Sequence, residues 1–546
     1  MKKVVVLGGG VAGMSAAHEL IERGFAVTVY ESKPVPGGKA RSMPVPGSGV
    51  NGRKDLPGEH GFRFFPRFYR HLPDTMARIP YGAGRNVAQN LVETTRIEMA
   101  LYDLPPVVTI SKFPENPSDI ETVLKAMTAT YTGVTEEDAI FFSKKLWQIL
   151  TSCKERRIAE YEKMSWWKFI EAESRSEPYQ KFFGHGITRS LVAAKADKAS
   201  TRTMGDITLQ MFLDILTPGL SADRLLNGPT DDVWIMPWLE YLKSRGVDYR
   251  FSSSLKAIHC DGTRITGATV MENGHEVEVT GDYYVAAVPV EVLAPMISPE
   301  MMAADPSLGP IVTLAKNVEW MNGIQFYLTQ DAPITHGHVI YIDSEWALTS
   351  VSQHQFWADI DLGQYADGAV AGILSVDISD WNTAGLNGKT ARQCKREDVA
   401  MEVWAQLKRS LNVDGAEPLT DDHLHSWFLD PDIVCAEGVN DLVTDNREPL
   451  LVNLIDTWSM RPEASTQIPN FFLASDYVRT NTDLATMEAA NEAARRAVNG
   501  IIAASGSSSS HCEIWDLHEP DILLPWRVHD YSRFKKGLPW DGKLLG

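Results

Sequence analysis

A strand, a glycine loop, a helix, a second strand and an acid follow one another within the first 31 residues. Lys3-Val4-Val5-Val6-Leu7 is a short β-branched run, the pattern of a strand buried on both faces. Gly8-Gly9-Gly10-Val11-Ala12-Gly13 comes next and contains GxGxxG. Good helix formers then run from Met14 to Arg23, Gly24 supplies a stop, and Ala26-Val27-Thr28-Val29-Tyr30 reads as a second strand ending in Glu31. Each part has a job in binding a dinucleotide. Gly8 permits the tight turn, Gly10 and Ala12 stand where a pyrophosphate approaches the backbone, and Gly13 lets the helix pack on the strand. The helix N-terminus offers free N–H groups to phosphate, and Glu31, 18 residues after Gly13, is placed for a ribose diol.

The order of elements carries this reading, because GxGxxG alone does not. Gly47-Ser48-Gly49-Val50-Asn51-Gly52 spells the same motif, with no strand before it and no helix after it, and reads as a loop. At 546 residues the chain is long enough for three to four units. A net charge of −19 argues against a nucleic-acid partner. Five scattered cysteines without a CxxC pair exclude a cysteine zinc module and a disulfide scaffold. The pairs His336/His338 and His423/His425 lack a third ligand at metal spacing and read as loop histidines, so no metal is expected. No run of 18 apolar residues occurs, so the chain reads as cytoplasmic, with a peripheral seat on the inner face of a membrane left open. Ser165-Trp166-Trp167 is the segment that could make such a contact.

After Glu31, the stretch Pro36-Gly37-Gly38-Lys39-Ala40-Arg41 offers a second glycine pair with basic neighbours. Together with Glu59-His60-Gly61-Phe62-Arg63-Phe64-Phe65 near the start and Phe471-Phe472-Leu473-Ala474-Ser475-Asp476-Tyr477 near the end, it resembles the FAD-dependent amine oxidase and phytoene desaturase superfamily. The similarity is nearest to the branch of phytoene desaturases and hydroxysqualene dehydroxylases. That resemblance implies an α/β fold, in which a Rossmann-type FAD-binding domain is interleaved with a mixed α+β substrate domain. The FAD-binding parts are expected at 1–80, 241–290 and 456–504. A mainly helical insertion is expected at 81–240, a mixed-sheet substrate domain at 291–455, and a linker with a Trp-rich tail at 505–546.

It also implies FAD as cofactor. Gly38, Lys39 and Arg41 would flank its pyrophosphate, Gly61 and Phe62 its ring, and Leu255 its adenine. Ser475 and Asp476 would meet the ribityl chain or pyrophosphate, with Ser475 standing where most members have glycine. Thr486 and Met487 would open a helix aimed at the flavin. His60, Arg63, Trp458 and Tyr477 are the candidates for the catalytic face; Trp458 could form half of an amine cage, and Lys316 could hold a water. The implied activity is a dehydrogenase or desaturase passing hydride from an apolar isoprenoid or terpenoid to flavin N5. An external acceptor (a quinone, a carrier protein or oxygen) would take the electrons. The alternatives are an amine oxidase, a redox-neutral isomerase, and an FAD-stabilised subunit of a heteromeric dehydrogenase. Both a homo-oligomer and a related second subunit stay compatible. The aromatic tail is expected to bury itself, on its own body before a partner chain.

Overall fold

The first apolar run becomes the strand Lys3–Leu7, buried from Val4 onward, in a computed structural model that describes residues 1–61, 63–127, 129–186, 188, 195–435 and 441–544. This strand is central in a five-stranded parallel sheet of order Asp248–Arg250, Ala26–Tyr30, Lys3–Leu7, Tyr283–Ala286, Phe471–Leu473. Its inner strands are covered on both faces, which is why they read as continuous apolar runs. The chain order along the sheet reverses beside Lys3–Leu7, leaving a crevice at the carboxyl ends of the strands. The helix Val11–Glu22 follows the first strand and packs against the long helix Met487–Ser505. An antiparallel sheet of Ser253–Cys260, Ile265–Glu272 and His275–Val279 lies beside them. Its hairpin turns through Asn273 and Gly274 with φ of 50° and 81°, the left-handed pair that a two-residue turn of this hand needs.

A seven-stranded sheet forms the second body, in the order Leu104–Ile110, Arg96–Leu101, Gly337–Tyr341, Thr349–Ser352, Gly372–Ile378, Asn322–Leu328, Leu424–Leu429. One face buries Ala100, Ile324, Phe326, Val339, Leu374 and Val376 against the helix Arg396–Leu411. The stretch expected to be mainly helical therefore starts with strands, Arg96–Leu101 and Leu104–Ile110, before its helices Pro117–Met127, Glu136–Thr151 and Thr201–Ile215.

The serine-rich segment after Ser505 is not a free linker. Gly506 ends the long helix at φ 66°, the Ser509 hydroxyl donates to the Arg23 carbonyl, and Arg23 donates to the Ser510 carbonyl. The aromatic tail docks on its own body. The Trp515 main-chain N–H donates to His71, Trp526 meets Trp147 edge-on at 5.5 Å, and the Trp540 indole donates to Thr151. Ser165-Trp166-Trp167 caps a short helix, and Trp166 is fully buried with its indole on the Phe183 carbonyl, so it faces no membrane. Among the described residues all five cysteines are free, and no helix is long and apolar enough to cross a membrane.

Candidate functional site

The crevice of the parallel sheet holds a cradle made mostly of backbone. Gly8 has φ 108°, and a Cβ there would lie 2.5 Å from the Ala287 carbonyl oxygen. A Cβ on Gly13 would meet the Gly8 carbonyl oxygen at 1.9 Å, so the helix can seat on the loop only through a glycine. At Gly10 the nearest atom to an added Cβ is the Gly38 Cα, 3.6 Å away. Gly10 caps the helix without a side-chain bond, and its first turn, with Val11, Ala12 and Gly13, carries no acid; those N–H groups suit an anion. The Glu31 carboxylate accepts from the Gly9 N–H at 2.8 Å and the Lys33 N–H at 2.7 Å. Burial raises its pKa, and these donors work against that rise. Main-chain bonds from Glu31 to Arg250 and Ser253 draw the next strand alongside and bring Leu255, partly buried, toward the same end.

The glycine pair Gly37-Gly38 closes the cradle opposite Gly10. Lys39 behind it donates to the Pro449 carbonyl. The Arg41 guanidinium is engaged with carboxylates, Asp432 at 2.5 Å and Glu448 at 3.0 Å. On the far side the chain returns through Phe471–Leu473 to Ser475, whose φ of 159° is close to extended, a conformation open to serine as well as glycine. Its hydroxyl donates to Asp476 at 3.2 Å. Tyr477 is fully buried and its hydroxyl has no hydrogen-bond partner among the described residues. Thr486 caps the helix that opens at Met487, accepting from the Ala489 N–H at 3.2 Å. An uncapped helix start, facing glycines, a ribose acid and an orphaned buried hydroxyl together fit FAD.

Between this cradle and the seven-stranded sheet runs the segment 57–65. Phe62 lies outside the described residues. The Gly323 N–H donates to the His60 carbonyl at 2.5 Å, and a Cβ on Gly61 would lie 2.6 Å from an Asp377 oxygen. Gly61 is thus required where the segment presses on the sheet. His60 Nδ1 pairs with buried Asp430 at 2.6 Å. Burial opposes ionisation of Asp430, yet His60 holds it below the usual carboxylate range. His60, Asp432 and Glu448 offer ligand atoms within 4.8 Å of one another. Those carboxylates already hold Lys33 and Arg41, so the cluster is met by the protein's own cations. Arg63 is largely buried and donates to the Lys39 carbonyl at 2.9 Å. Burial lifts Glu59 to about 8, with Arg63 and the Thr230 donors pulling the other way.

The sheet face turned toward this segment follows from register. Gly323, Asp377, Thr349, Ile340 and Met99 are successive cross-strand partners, as are Gln325, Ser375, Val351, His338 and Ile97. Gln325 accepts from the Glu59 N–H at 3.0 Å, which places both rows on the side of the cradle. The end under Gly61 is polar. The far end is apolar, where Met99 and Ile340 cluster with Leu101, Ile342 and Phe182. Between them His338 Nδ1 pairs with buried Asp223 at 2.7 Å, and its ring meets Phe64 edge-on at 4.8 Å.

Three expectations change here. His338 and His425 are not loop residues but sit in the strands Gly337–Tyr341 and Leu424–Leu429, and the His338 partner Asp223 is 115 residues away, invisible to local spacing. Trp458 offers no cage to an amine, because the guanidinium groups of Arg202 and Arg479 lie over its ring at 4.1 and 4.6 Å. Lys316 is exposed after a short helix rather than buried beside the cradle.

Residues 209–502 match the family of flavin-containing amine oxidoreductases, and residues 6–79 match the NAD(P)-binding Rossmann-like domain. The chain belongs to the flavin-containing amine oxidoreductase family. Its cofactor is FAD, and its architecture is that of a Rossmann-type domain joined to an amine oxidase-type substrate domain. Among relatives of this flavoprotein, zeta-carotene desaturase of Synechocystis is 24% identical over 52% of the chain and 57% of the relative. The 15-cis-phytoene desaturase of Synechococcus elongatus is 24% identical over 56% of the chain and 61% of its own length. The carotenoid phi-ring synthase of Chlorobaculum tepidum is 45% identical over 69 residues, 12% of this chain and 10% of that one. The chain therefore spans less than two thirds of the curated relatives it matches. In solved structures, putrescine oxidase bound to putrescine superposes with a TM-score of 0.60 at 14% identity over 92% of this chain and 99% of that one. An oxidoreductase of Methanosarcina mazei gives 0.56 at 11% over 90% and 98%. At those identities the likeness is one of fold.

Proposed function

We propose that this flavoprotein dehydrogenates an apolar isoprenoid or terpenoid, forming a carbon–carbon double bond. The observation that carries the reading is the sheet face, apolar at Met99, Leu101, Ile340 and Ile342 and polar from His338 to the stretch under Gly61. An elongated hydrocarbon can lie along the apolar end with one C–C bond presented at the polar end. The names of the desaturase relatives point the same way, and the guanidinium groups over Trp458 weigh against an amine cage at that ring. FAD, held by the Gly8–Gly13 loop, Glu31, Gly38 and Asp476, supplies the hydride acceptor when bound. The chain's own residues position the hydrocarbon, exclude water and receive the proton that leaves the neighbouring carbon. For that proton we assign His338, oriented by Asp223, as the base. The electrons then pass to an external acceptor, a quinone, a carrier protein or oxygen.

Anaerobic mixing with acyclic isoprenoids and with di- and polyamines, read at the oxidised flavin band of roughly 450 nm, tests the reading. Bleaching by isoprenoids supports it, bleaching by amines alone defeats it, and no bleaching by either returns the chain to an isomerase or a subunit role. His338→Gln is expected to slow bleaching about 100-fold while the flavin content stays that of the wild type. An unaltered bleaching rate would take His338 out of the reaction.

A further inference from the structure

The helix Leu524–Lys535 lies on the protein body yet leaves a line of apolar side chains turned outward. Such a helix ordinarily turns its apolar stripe to the core. Here the side facing the body holds a buried acid and an arginine beside the rings of Trp526 and Phe534. Asp530 is buried and accepts from Arg156 at 3.0 Å and from the Cys153 N–H at 2.9 Å, and Arg527 donates to the Leu150 carbonyl at 3.2 Å. Leu524, Val528 and Tyr531, spaced four and three residues apart on one face, point outward at 54, 48 and 40% exposure. Ile522, in the turn just before the helix, is also exposed, at 78%. Lys535, the next position on that face, and Lys536 beside it are exposed at its end.

What covers the ridge can be judged from area and charge. A helix of 12 residues is about 18 Å long, and its ridge offers on the order of 200 Å², well below the roughly 800 Å² per partner of a stable protein interface. The charge is local and opposite to that of the molecule. Residues 524–546 hold five basic and two acidic side chains in a chain of net charge −19. Both acids are spoken for, Asp530 by Arg156 and Asp541 by Arg533 at 3.1 Å. A short apolar ridge ending in lysines, with a tyrosine on it, is what an interfacial helix presents to acidic headgroups. We propose that this helix seats the protein on an anionic lipid surface, with Ile522, Leu524, Val528 and Tyr531 at the acyl boundary and Lys535 and Lys536 among the headgroups. The proposal stands independently of the substrate reading, since no residue of the cradle or of the sheet face takes part.

Co-sedimentation of the full-length holoprotein with phosphatidylcholine vesicles, with and without about 30% phosphatidylglycerol, tests it. The protein is expected to pellet with the anionic vesicles, to stay in solution with the neutral ones, and to be released by high salt. Leu524→Asp with Val528→Asp is expected to cut the bound fraction about tenfold while flavin content and elution volume stay the same. Lys535→Glu with Lys536→Glu should weaken binding and flatten its salt dependence. Failure of the wild type to pellet, or equal pelleting of the Leu524/Val528 variant, overturns the proposal. So does a wild-type dimer that this variant converts to a monomer, because that outcome gives the ridge to a second copy of the chain.

Discussion

Two glycines three residues apart respond differently to one methyl group. At Gly13 a Cβ would overlap the Gly8 carbonyl oxygen at 1.9 Å, so Gly13→Ala must displace the helix Val11–Glu22 from its strand. We expect a loss of about 3 kcal/mol in urea unfolding, together with the flavin. At Gly10 the methyl group would stand 3.6 Å from Gly38, an ordinary contact. Gly10→Ala should leave the apoprotein stable to within about 0.5 kcal/mol. Its flavin content, read as the ratio of flavin to protein absorbance, should fall about tenfold, because the methyl group occupies the pyrophosphate's approach. Equal flavin in Gly10→Ala and wild type would mean that the fingerprint is misassigned. Both roles were legible from the motif; those of His60, Arg41 and His338 were not, since each is decided by a carboxylate from another part of the chain. Glu59 is a related case. Burial raises its pKa to about 8 from the ordinary 4.5, so the folded state holds a proton that the unfolded state releases. Stability from this group is complete below about pH 4.5 and declines as pH rises toward 8. Glu59→Gln keeps the shape and loses the titration, so its stability advantage over the wild type should grow between pH 5 and 8. A constant difference in urea midpoint across that range would show Glu59 ionised throughout, paired to Arg63.

The helix start at Met487 is tied to the helix His71–Ala77 by one carboxylate. Glu488 is buried and accepts from the N–H groups of Arg70, His71 and Leu72 at 2.7 to 2.8 Å, and pairs with His71 Nδ1 at 2.7 Å. An anion among the first N–H groups of a helix meets both their hydrogen bonds and the positive dipole end. Glu488→Gln keeps an acceptor but not the charge, and should cost about 2 kcal/mol by urea denaturation. An unchanged midpoint would show that the neutral amide serves as well. At this scale the sequence was legible where pattern and environment agree, as in the strands of the parallel sheet. It misled at 91–110. Pro105 and Pro106 lie in a strand that looks impossible until its place is known, at the sheet edge and at a shift of register between Leu104 and Val107. Proline removes a donor, and an edge strand can spare one.

As a whole molecule, the chain builds the cradle we assign to FAD from stretches far apart in sequence: the loop and acid of residues 8–41, the strand beginning at Ser253, and the return from Phe471 to Met487. The ends of this arrangement could be read because each carries its own motif. The sheet face that would meet the substrate could not, because its lining comes from strands near 97, 325, 338, 350 and 375 whose register only folding decides. Interleaving has a thermodynamic consequence. A ligand that bridges all three stretches cannot stabilise one of them alone, so its binding energy should enter a single unfolding transition. Free FAD at 100 times its dissociation constant adds about 2.7 kcal/mol to the folded state. Unfolding entropy is about 2.1 cal/mol/K per residue, so for 546 residues unfolding together the midpoint should rise by about 2 °C. Were the parallel-sheet body to melt independently, the same energy would act on fewer residues, giving a larger shift in one transition and leaving the other unmoved. Differential scanning calorimetry of apoprotein and holoprotein separates the two: one peak displaced by about 2 °C supports a cooperative molecule, and a split profile with one stationary peak rejects it.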